Sequence, residues 1–346
     1  MAEKMQAVMK IERAPGLTLT EKEIPKAGPG QVVVHVLATS ICGTDLHIYR
    51  WDKWSQGRVN PPIVAGHEIT GEIAEVGKGV TRVKVGDKVS LESHEVCGTC
   101  RFCRAGRGDI CENTVIIGVD RDGGFADYIA INEENARVLP PGVPLNVACL
   151  MENFGNAVHT VSMVNVKDKH VLVTGCGPAG VMAVAVAKAE GAAHIYATDV
   201  SDYRLAMARS MGANTIINPT KENVVEIVMS GTKNEGAAVL IEMSGAPSAI
   251  NDGFKALSKG AEASLLGLTP GPFEFDLNNN VIFRSVVVYG VVGRRLWSTW
   301  DLAYHYVESG KVDLNPMVTH RFKLSEYDQA FETFGSGQSG KVMMTP

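Results

Sequence analysis

One hexapeptide limits the fold of this chain more than any other stretch: Gly175-Cys176-Gly177-Pro178-Ala179-Gly180. It follows an apolar segment, His170–Thr174, that reads as a strand, and it precedes residues 181–190, which read as a helix. Glycines at this spacing permit a tight strand-to-helix turn and let a pyrophosphate approach the backbone at a helix N-terminus. Pro178 fits the first helical turn, where a missing N–H costs nothing. Such a unit needs parallel neighbours, and the alternation continues. Residues 195–198, 239–242, 263–268 and 286–291 read as strands, and 204–211 and 249–257 as helices, which predicts about six parallel strands covered by helices.

A carboxylate is expected about twenty residues beyond the turn, at the end of the second strand, to accept from a ribose diol. Asp199 stands there. It repels a 2′-phosphate and so favours NAD over NADP, while nearby Arg204 keeps NADP open. The competing role for Asp199 is a helix N-cap, which Ser201 or Asp202 supplies equally well.

Upstream, from residue 5 to about 139, the pattern is different. Apolar segments at 32–37, 69–76, Lys88–Leu91 and 126–131 are short and are punctuated by Gly77-Lys78-Gly79 and Gly86-Asp87. This reads as an all-β barrel or sandwich. A chain of 346 residues suits two domains of this kind. Beyond Thr299 two helical stretches are expected, 300–308 and one opened by Ser325 with Asp328 as a capping box.

The charge balance, 33 Lys and Arg against 38 Asp and Glu with no block of either sign, argues against a nucleic-acid partner. No signal-peptide pattern opens the chain, and the apolar run after Gly180 is broken by Lys188 and Glu190, so no membrane span is expected. The expected location is the cytoplasm. Seven cysteines there are metal ligands sooner than disulfides.

The cysteines form two groups. Cys42 and, after a Pro-rich approach, Gly66-His67-Glu68 bring a thiol, an imidazole and a carboxylate together with Thr44 and His47. Catalytic zinc takes three protein ligands and keeps one position open, a count that Cys42, His67 and one carboxylate would meet. Taken singly, Cys42 reads as a small buried hydrophobe. Cys97, Cys100, Cys103 and Cys111 can wrap one ion tetrahedrally with no open position, as in a structural zinc site. The competitor is an iron–sulfur cluster, whose common run closes with a three-residue gap and a proline, whereas seven residues separate Cys103 from Cys111.

Together these features resemble the zinc-dependent medium-chain alcohol dehydrogenase family over essentially the whole chain. Ala38-Thr39-Ser40-Ile41-Cys42-Gly43-Thr44-Asp45-Leu46-His47-Ile48-Tyr49, with Trp51 and Trp54, then Phe154-Gly155-Asn156-Ala157-Val158-His159-Thr160, and Gly293-Arg294 with Trp300, resemble its branch that oxidises L-threonine. The resemblance implies an α/β protein: a GroES-like all-β catalytic domain at 1–154 completed by 293–346, and a doubly wound Rossmann domain at 155–292. It implies Cys42, His67 and Glu68 as ligands of the catalytic zinc, Thr44 and His47 as a proton relay, and Glu152 as a carboxylate joining the zinc or the relay. It implies His94 and Arg294 at the substrate, and NAD contacts from Gly175, Gly177, Pro178, Ala179, Gly180, Asp199, Arg204, Leu266-Gly267-Leu268 and Val291-Val292. A homotetramer is also implied. Two positions depart from the family pattern: Glu152-Asn153 stands where Glu-Pro is common, and Ala179 where a larger aliphatic residue is.

The reaction expected is oxidation of the threonine 3-hydroxyl to 2-amino-3-oxobutanoate, with zinc as Lewis acid and hydride passing to NAD. The alternatives are a polyol dehydrogenase of the sorbitol or butanediol type, and a binding protein that keeps the fold without turnover.

Overall fold

The computed structural model, which describes residues 3–346, folds as two compact units, one running to Asn153 and resuming at Asp313–Pro346, the other Phe154–Val312. The first unit opens with β1 (Lys4–Lys10), β2 (Thr18–Glu23) and β3 (Gln31–Ser40), followed by helices α1 (Gly43–Arg50) and α2 (Lys53–Arg58). It continues through β4 (Ile63–Val64), β5 (Glu68–Val76), β6 (Lys88–Leu91), β7 (His94–Glu95), the short α3 (Arg101–Arg104), β8 (Val115–Ile116), β9 (Tyr128–Asn132) and β10 (Ala136–Val138). The Val-rich run of β3 has the longest buried pattern of these strands and lies at the centre of the main sheet, paired with both β5 and β9. Val32, Val34, Ile69, Ile73, Val89 and Leu91 pack into one core there, each fully buried branched side chain contributing about 1.5–3 kcal/mol.

The second unit begins within α4 (Met151–Ser162) and alternates β11 (His170–Thr174), α5 (Pro178–Ala189), β12 (His194–Thr198), α6 (Asp202–Met211), β13 (Thr215–Ile217), α7 (Val224–Gly231), β14 (Ala237–Glu242), α8 (Pro247–Lys255), β15 (Leu257–Leu265), α9 (Leu277–Asn280) and β16 (Val287–Gly290). Its six strands form one parallel sheet in the order β13-β12-β11-β14-β15-β16. Sequence order therefore reverses between β11 and β14, the switch point where doubly wound sheets bind ligands at the strands' carboxyl ends. Every residue of α5 from Gly180 to Ala187 is buried, as expected of a helix apolar on all sides.

The tail differs from expectation in three ways. α10 (Ser298–Glu308) belongs to the second unit, because Tyr306 packs edge-on against Phe154 and donates to Glu190 at 2.8 Å. The return to the first unit thus comes at Asp313, later than the Gly293 boundary read from the sequence. After it come two strands that the helical reading lacked, β17 (Val318–Lys323) and β18 (Lys341–Thr345), around α11 (Tyr327–Gly335). β18 joins β3 and β17, extending the main sheet. Ser325 makes no capping box with Asp328: Glu326 accepts from the Lys323 N–H at 2.7 Å, and Asp328 takes the Tyr49 hydroxyl.

Candidate active site

Antiparallel pairing of β3 with β5 sets Ser40 opposite Glu68, and this register brings the residues just past one strand beside those just before the other. Cys42 and His67 meet for that reason. Gly66 approaches with φ +91°, and a Cβ there would lie 2.2 Å from the Phe125 ring, so only glycine can deliver His67. Cys42 caps α1, and its N–H donates to Asp45 Oδ2 at 2.9 Å. The other oxygen of Asp45 faces His67 Nδ1 at 3.4 Å, leaving Nε2 as the ring nitrogen available to a metal.

The ligand atoms of Cys42, His67 and Glu68 all lie within 4.8 Å of one another, with His67 and Glu68 buried. Burial works against a charge on His67, yet Asp45 and the Cys42 sulfur hold its pKa well above the usual range. Anionic surroundings that favour a proton favour a divalent cation equally. A thiol, an imidazole and carboxylates converging in a buried place are the donors zinc takes, so the residues fit that ion.

Glu68 has company that the sequence did not foretell. Lys341, from β18, reaches its two oxygens at 2.6 and 2.5 Å and donates to the Ile41 carbonyl at 3.0 Å, while Ser40 also donates to Glu68. Burial opposes the Lys341 charge, but Glu68, the Cys42 sulfur and Glu152 together raise its pKa. Glu152 sits in the first turn of α4, buried, and accepts from Ser93 Oγ at 2.7 Å. The backbone at Glu152-Asn153 is helical, and Asn153 Nδ2 lies 3.9 Å from Cys42 Sγ.

Thr44 and His47 lie three residues apart on α1 and so share a face. His47 is exposed, and its Nδ1 contacts Asp52 Oδ2 at 2.5 Å. His94, on β7, is mostly buried; its N–H donates to Glu92 at 2.8 Å and its carbonyl accepts from Asn135. Arg294 belongs to the second unit, is buried, and donates to Asn156 Oδ1 at 3.1 Å.

The four cysteines of the lobe converge as well. Cys97, Cys100, Cys103 and Cys111 offer sulfurs within 4.8 Å of one another, with Cys97–Cys111 at 3.5 Å and Cys100–Cys111 at 3.9 Å. The edge of a tetrahedron with zinc–sulfur bonds of about 2.3 Å is about 3.8 Å. Backbone N–H groups of Cys97, Cys100, Cys103 and Asn113 aim at sulfur. The Thr99 N–H, the Asn113 amide and the Cys100 N–H pull the Cys97 thiol down to about 5, while burial and neighbouring sulfurs push Cys103 up to about 12. The Cys97 sulfur is thus held toward its thiolate form, and the four sulfurs together have the spacing that one tetrahedral cation would take. All seven cysteines of the chain are free thiols.

In the second unit, a cavity of about 440 Å³ opens at the carboxyl ends of β11, β12 and β14, lined by Gly175, Gly177, Asp199, Arg204, Thr220 and Ser244 among others. The three glycines of the turn differ in what they meet. A Cβ on Gly175, at φ +85°, would lie 2.7 Å from Ser244, and one on Gly180 would lie 1.8 Å from the Gly175 carbonyl. One on Gly177 would meet nothing, so that glycine leaves open space at the helix start, where Pro178 occupies the first turn. Asp199 accepts from the Cys176 N–H at 2.7 Å and the Ser201 N–H at 2.9 Å, and the cap of α6 is Ser201. Arg204 Nε is buried with no partner. Ala179 is half-buried at the start of α5. Leu266-Gly267-Leu268 and Val291-Val292 follow the ends of β15 and β16, with Leu268 87% exposed.

Asp45, Lys341 and Asp52 did not stand out in the sequence. Asp45 had a signal, a carboxylate three residues after the helix cap. Among the described residues, no helix is long and apolar enough to cross a membrane.

Two family descriptions match the chain, Alcohol dehydrogenase GroES-like domain over residues 28–141 and Zinc-binding dehydrogenase over residues 178–309. Curated proteins named L-threonine 3-dehydrogenase are similar over their whole length: that of Symbiobacterium thermophilum is 50% identical, covering 100% of this chain and 99% of the relative, and that of Pyrococcus abyssi is 47% identical, covering 99% of each. Among solved structures, 2R,3R-butanediol dehydrogenase of Bacillus subtilis aligns with a TM-score of 0.89 at 26% identity over 99% of both chains. An Escherichia coli alcohol dehydrogenase complexed with NADH aligns at 0.91 and 27% identity over 100% of both. With a thiol, an imidazole and carboxylates gathered in a GroES-like unit and a glycine turn at the switch point of a Rossmann sheet, the chain belongs to the zinc-binding alcohol dehydrogenase family.

Proposed function

We propose that the chain oxidises L-threonine at its 3-hydroxyl to 2-amino-3-oxobutanoate, with NAD as acceptor. The observation that carries this reading is the buried convergence of Cys42, His67 and Glu68 in a chain 50% identical over its full length to a curated L-threonine 3-dehydrogenase. When bound, zinc polarises the substrate hydroxyl, and the nicotinamide takes the hydride. Cys42 and His67 hold the metal, and Asp45 orients both. Glu68, which Lys341 and Ser40 also engage, or Glu152 in the first turn of α4 supplies the completing carboxylate. Cys97, Cys100, Cys103 and Cys111 hold a second, structural zinc ion.

Thr44 and His47 take the hydroxyl proton toward solvent, a direction supported by the 58% exposure of the His47 side chain beside Asp52. His94 and Arg294 serve the substrate carboxylate. In the cofactor site, Gly175, Gly177, Pro178, Ala179 and Gly180 receive the pyrophosphate, Asp199 the ribose, and Arg204 the adenosine end; Leu266, Gly267, Leu268, Val291 and Val292 contact the nicotinamide half. Asp199 at the strand end favours NAD over NADP.

The enzyme works in the cytoplasm as a homotetramer. Seven free thiols suit a reducing compartment, and the sheet's edge strand β16 exposes Val287 and Val288 near exposed Phe283, an edge that a second copy would cover. Light scattering tests the assembly.

The experiment that tests the reaction is turnover of L-threonine, 2,3-butanediol and sorbitol with NAD at equal concentration. L-Threonine is expected to be fastest. Faster oxidation of either polyol would refute the threonine assignment and favour the butanediol type, to which the structural likeness at 26% identity lends weaker support.

A further inference from the structure

L-Threonine brings an ammonium group vicinal to the hydroxyl that the metal engages, and a buried ammonium needs an acceptor. If Glu152 completes the metal set, with Lys341 and Ser40 on Glu68 and with Asp45 facing Cys42 and His67, none of these carboxylates is left for it. Asn153 has one to offer. The residue is 7% exposed, and its Nδ2 lies 3.9 Å from Cys42 Sγ, which sets the carboxamide beside a proposed metal ligand. A thiolate is an acceptor only, so the amide nitrogen is the end that faces it and the oxygen is left to another donor. That oxygen, Asn153 Oδ1, is buried and has no hydrogen-bond partner.

An orphaned buried acceptor is costly, about 1–3 kcal/mol, and is seldom kept without a partner to meet it. Proline, the residue common at this position in the family pattern, offers neither the donor nor the acceptor. We infer that Asn153 is a specificity residue: its Nδ2 is anchored on Cys42 Sγ and its Oδ1 accepts a hydrogen bond from the substrate ammonium. The inference rests on the threonine reading and extends it, since Asn153 then discriminates amino alcohols from plain ones. No proton or electron is exchanged at Asn153; it only positions and selects.

The test compares L-threonine with 3-hydroxybutyrate, which keeps the secondary hydroxyl and the carboxylate but lacks the ammonium. In Asn153→Leu, similar in size and without polar atoms, the ratio of kcat/KM for L-threonine to that for 3-hydroxybutyrate should fall about 10- to 100-fold, chiefly through KM. The dissociation constant of L-threonine from the enzyme–NADH complex, read by cofactor fluorescence, should rise by a similar factor, with zinc content per chain unchanged. Asn153→Asp keeps an acceptor and should hold the ratio within about threefold of the parent value. Should the leucine variant not fold, Asn153→Ala carries the same expectation. An unchanged ratio in the leucine or alanine variant would mean that only water meets Oδ1, and an equal fall in the aspartate variant would mean a structural role; either overturns the inference. Failure of the threonine reading itself would show in the parent enzyme, as an absence of L-threonine turnover.

Discussion

Replacing Lys341 with methionine keeps the alkyl stem and removes only the ammonium, which makes it a clean probe of the buried pair with Glu68. Both side chains are essentially inaccessible, 1% and 0% exposed, and the two Nζ–oxygen distances are 2.6 and 2.5 Å. Without Lys341, Glu68 retains the Ser40 hydroxyl, and the Ile41 carbonyl loses its donor. Removing one member of such a pair leaves an uncompensated buried charge and costs about 3–5 kcal/mol. In a unit of roughly 190 residues each kcal/mol moves Tm by about 2–4 °C, so the expected fall is on the order of 10 °C. Calorimetry on Lys341→Met, Glu68→Gln and the double variant measures it. The double variant should recover at least half of the loss, because it removes the stranded charge together with its partner. A fall below about 2 °C in Lys341→Met, or a double variant no better than the single one, would refute the claim that this pair is held by charge.

Other outcomes follow from the same geometry. Cys97→Ser should cost one zinc per chain and lower Tm, whereas Cys42→Ser should abolish turnover with the fold largely kept; metal analysis that finds about two zinc ions in the parent and one in each variant checks both. Asp199→Ala should raise the ratio of kcat/KM for NADP to that for NAD about 10-fold or more, because the anion goes while Arg204, with its unpartnered Nε, remains in the same cavity. Gly177→Ala, with nothing near its added Cβ, should fold normally and lose NAD affinity in fluorescence titration, while Gly180→Ala, 1.8 Å from the Gly175 carbonyl, should destabilise the sheet itself and lower Tm.

The glycine turn was legible because its requirements are local: two of the three positions exclude a side chain through backbone or neighbouring contacts, and the third is the open one. The strands β11, β12 and β14 were legible for a similar reason, since each holds a short apolar run that ends at a turn. β13 was not read, being three residues long. β17 and β18 were missed because their strand character depends on partners far away in sequence: β18 is held between β17 and the end of β3. A segment that begins Lys341-Val342-Met343-Met344 has no alternation that marks it as a strand, and its lysine gives no sign that it will be buried.

The same distinction separates what kind of enzyme this is from what it acts on. The dinucleotide turn from Gly175 to Gly180 and the Gly66-His67-Glu68 run are set by short spacings, and the reaction class followed from the family resemblance that these residues carry. A TM-score of 0.89 to a butanediol dehydrogenase shows that backbone shape does not choose between a diol and an amino acid. On the proposed reading that choice falls to side chains from distant segments, His94 on β7, Asn153 on α4 and Arg294 beyond β16. On the proposed reading, two of them answer the carboxylate and one answers the ammonium. A plain alcohol entering the site would leave Asn153 Oδ1 without a donor, and a vicinal diol would offer a neutral hydroxyl in place of the charged donor, so on this reading Asn153 makes the enzyme selective with no change in its metal chemistry.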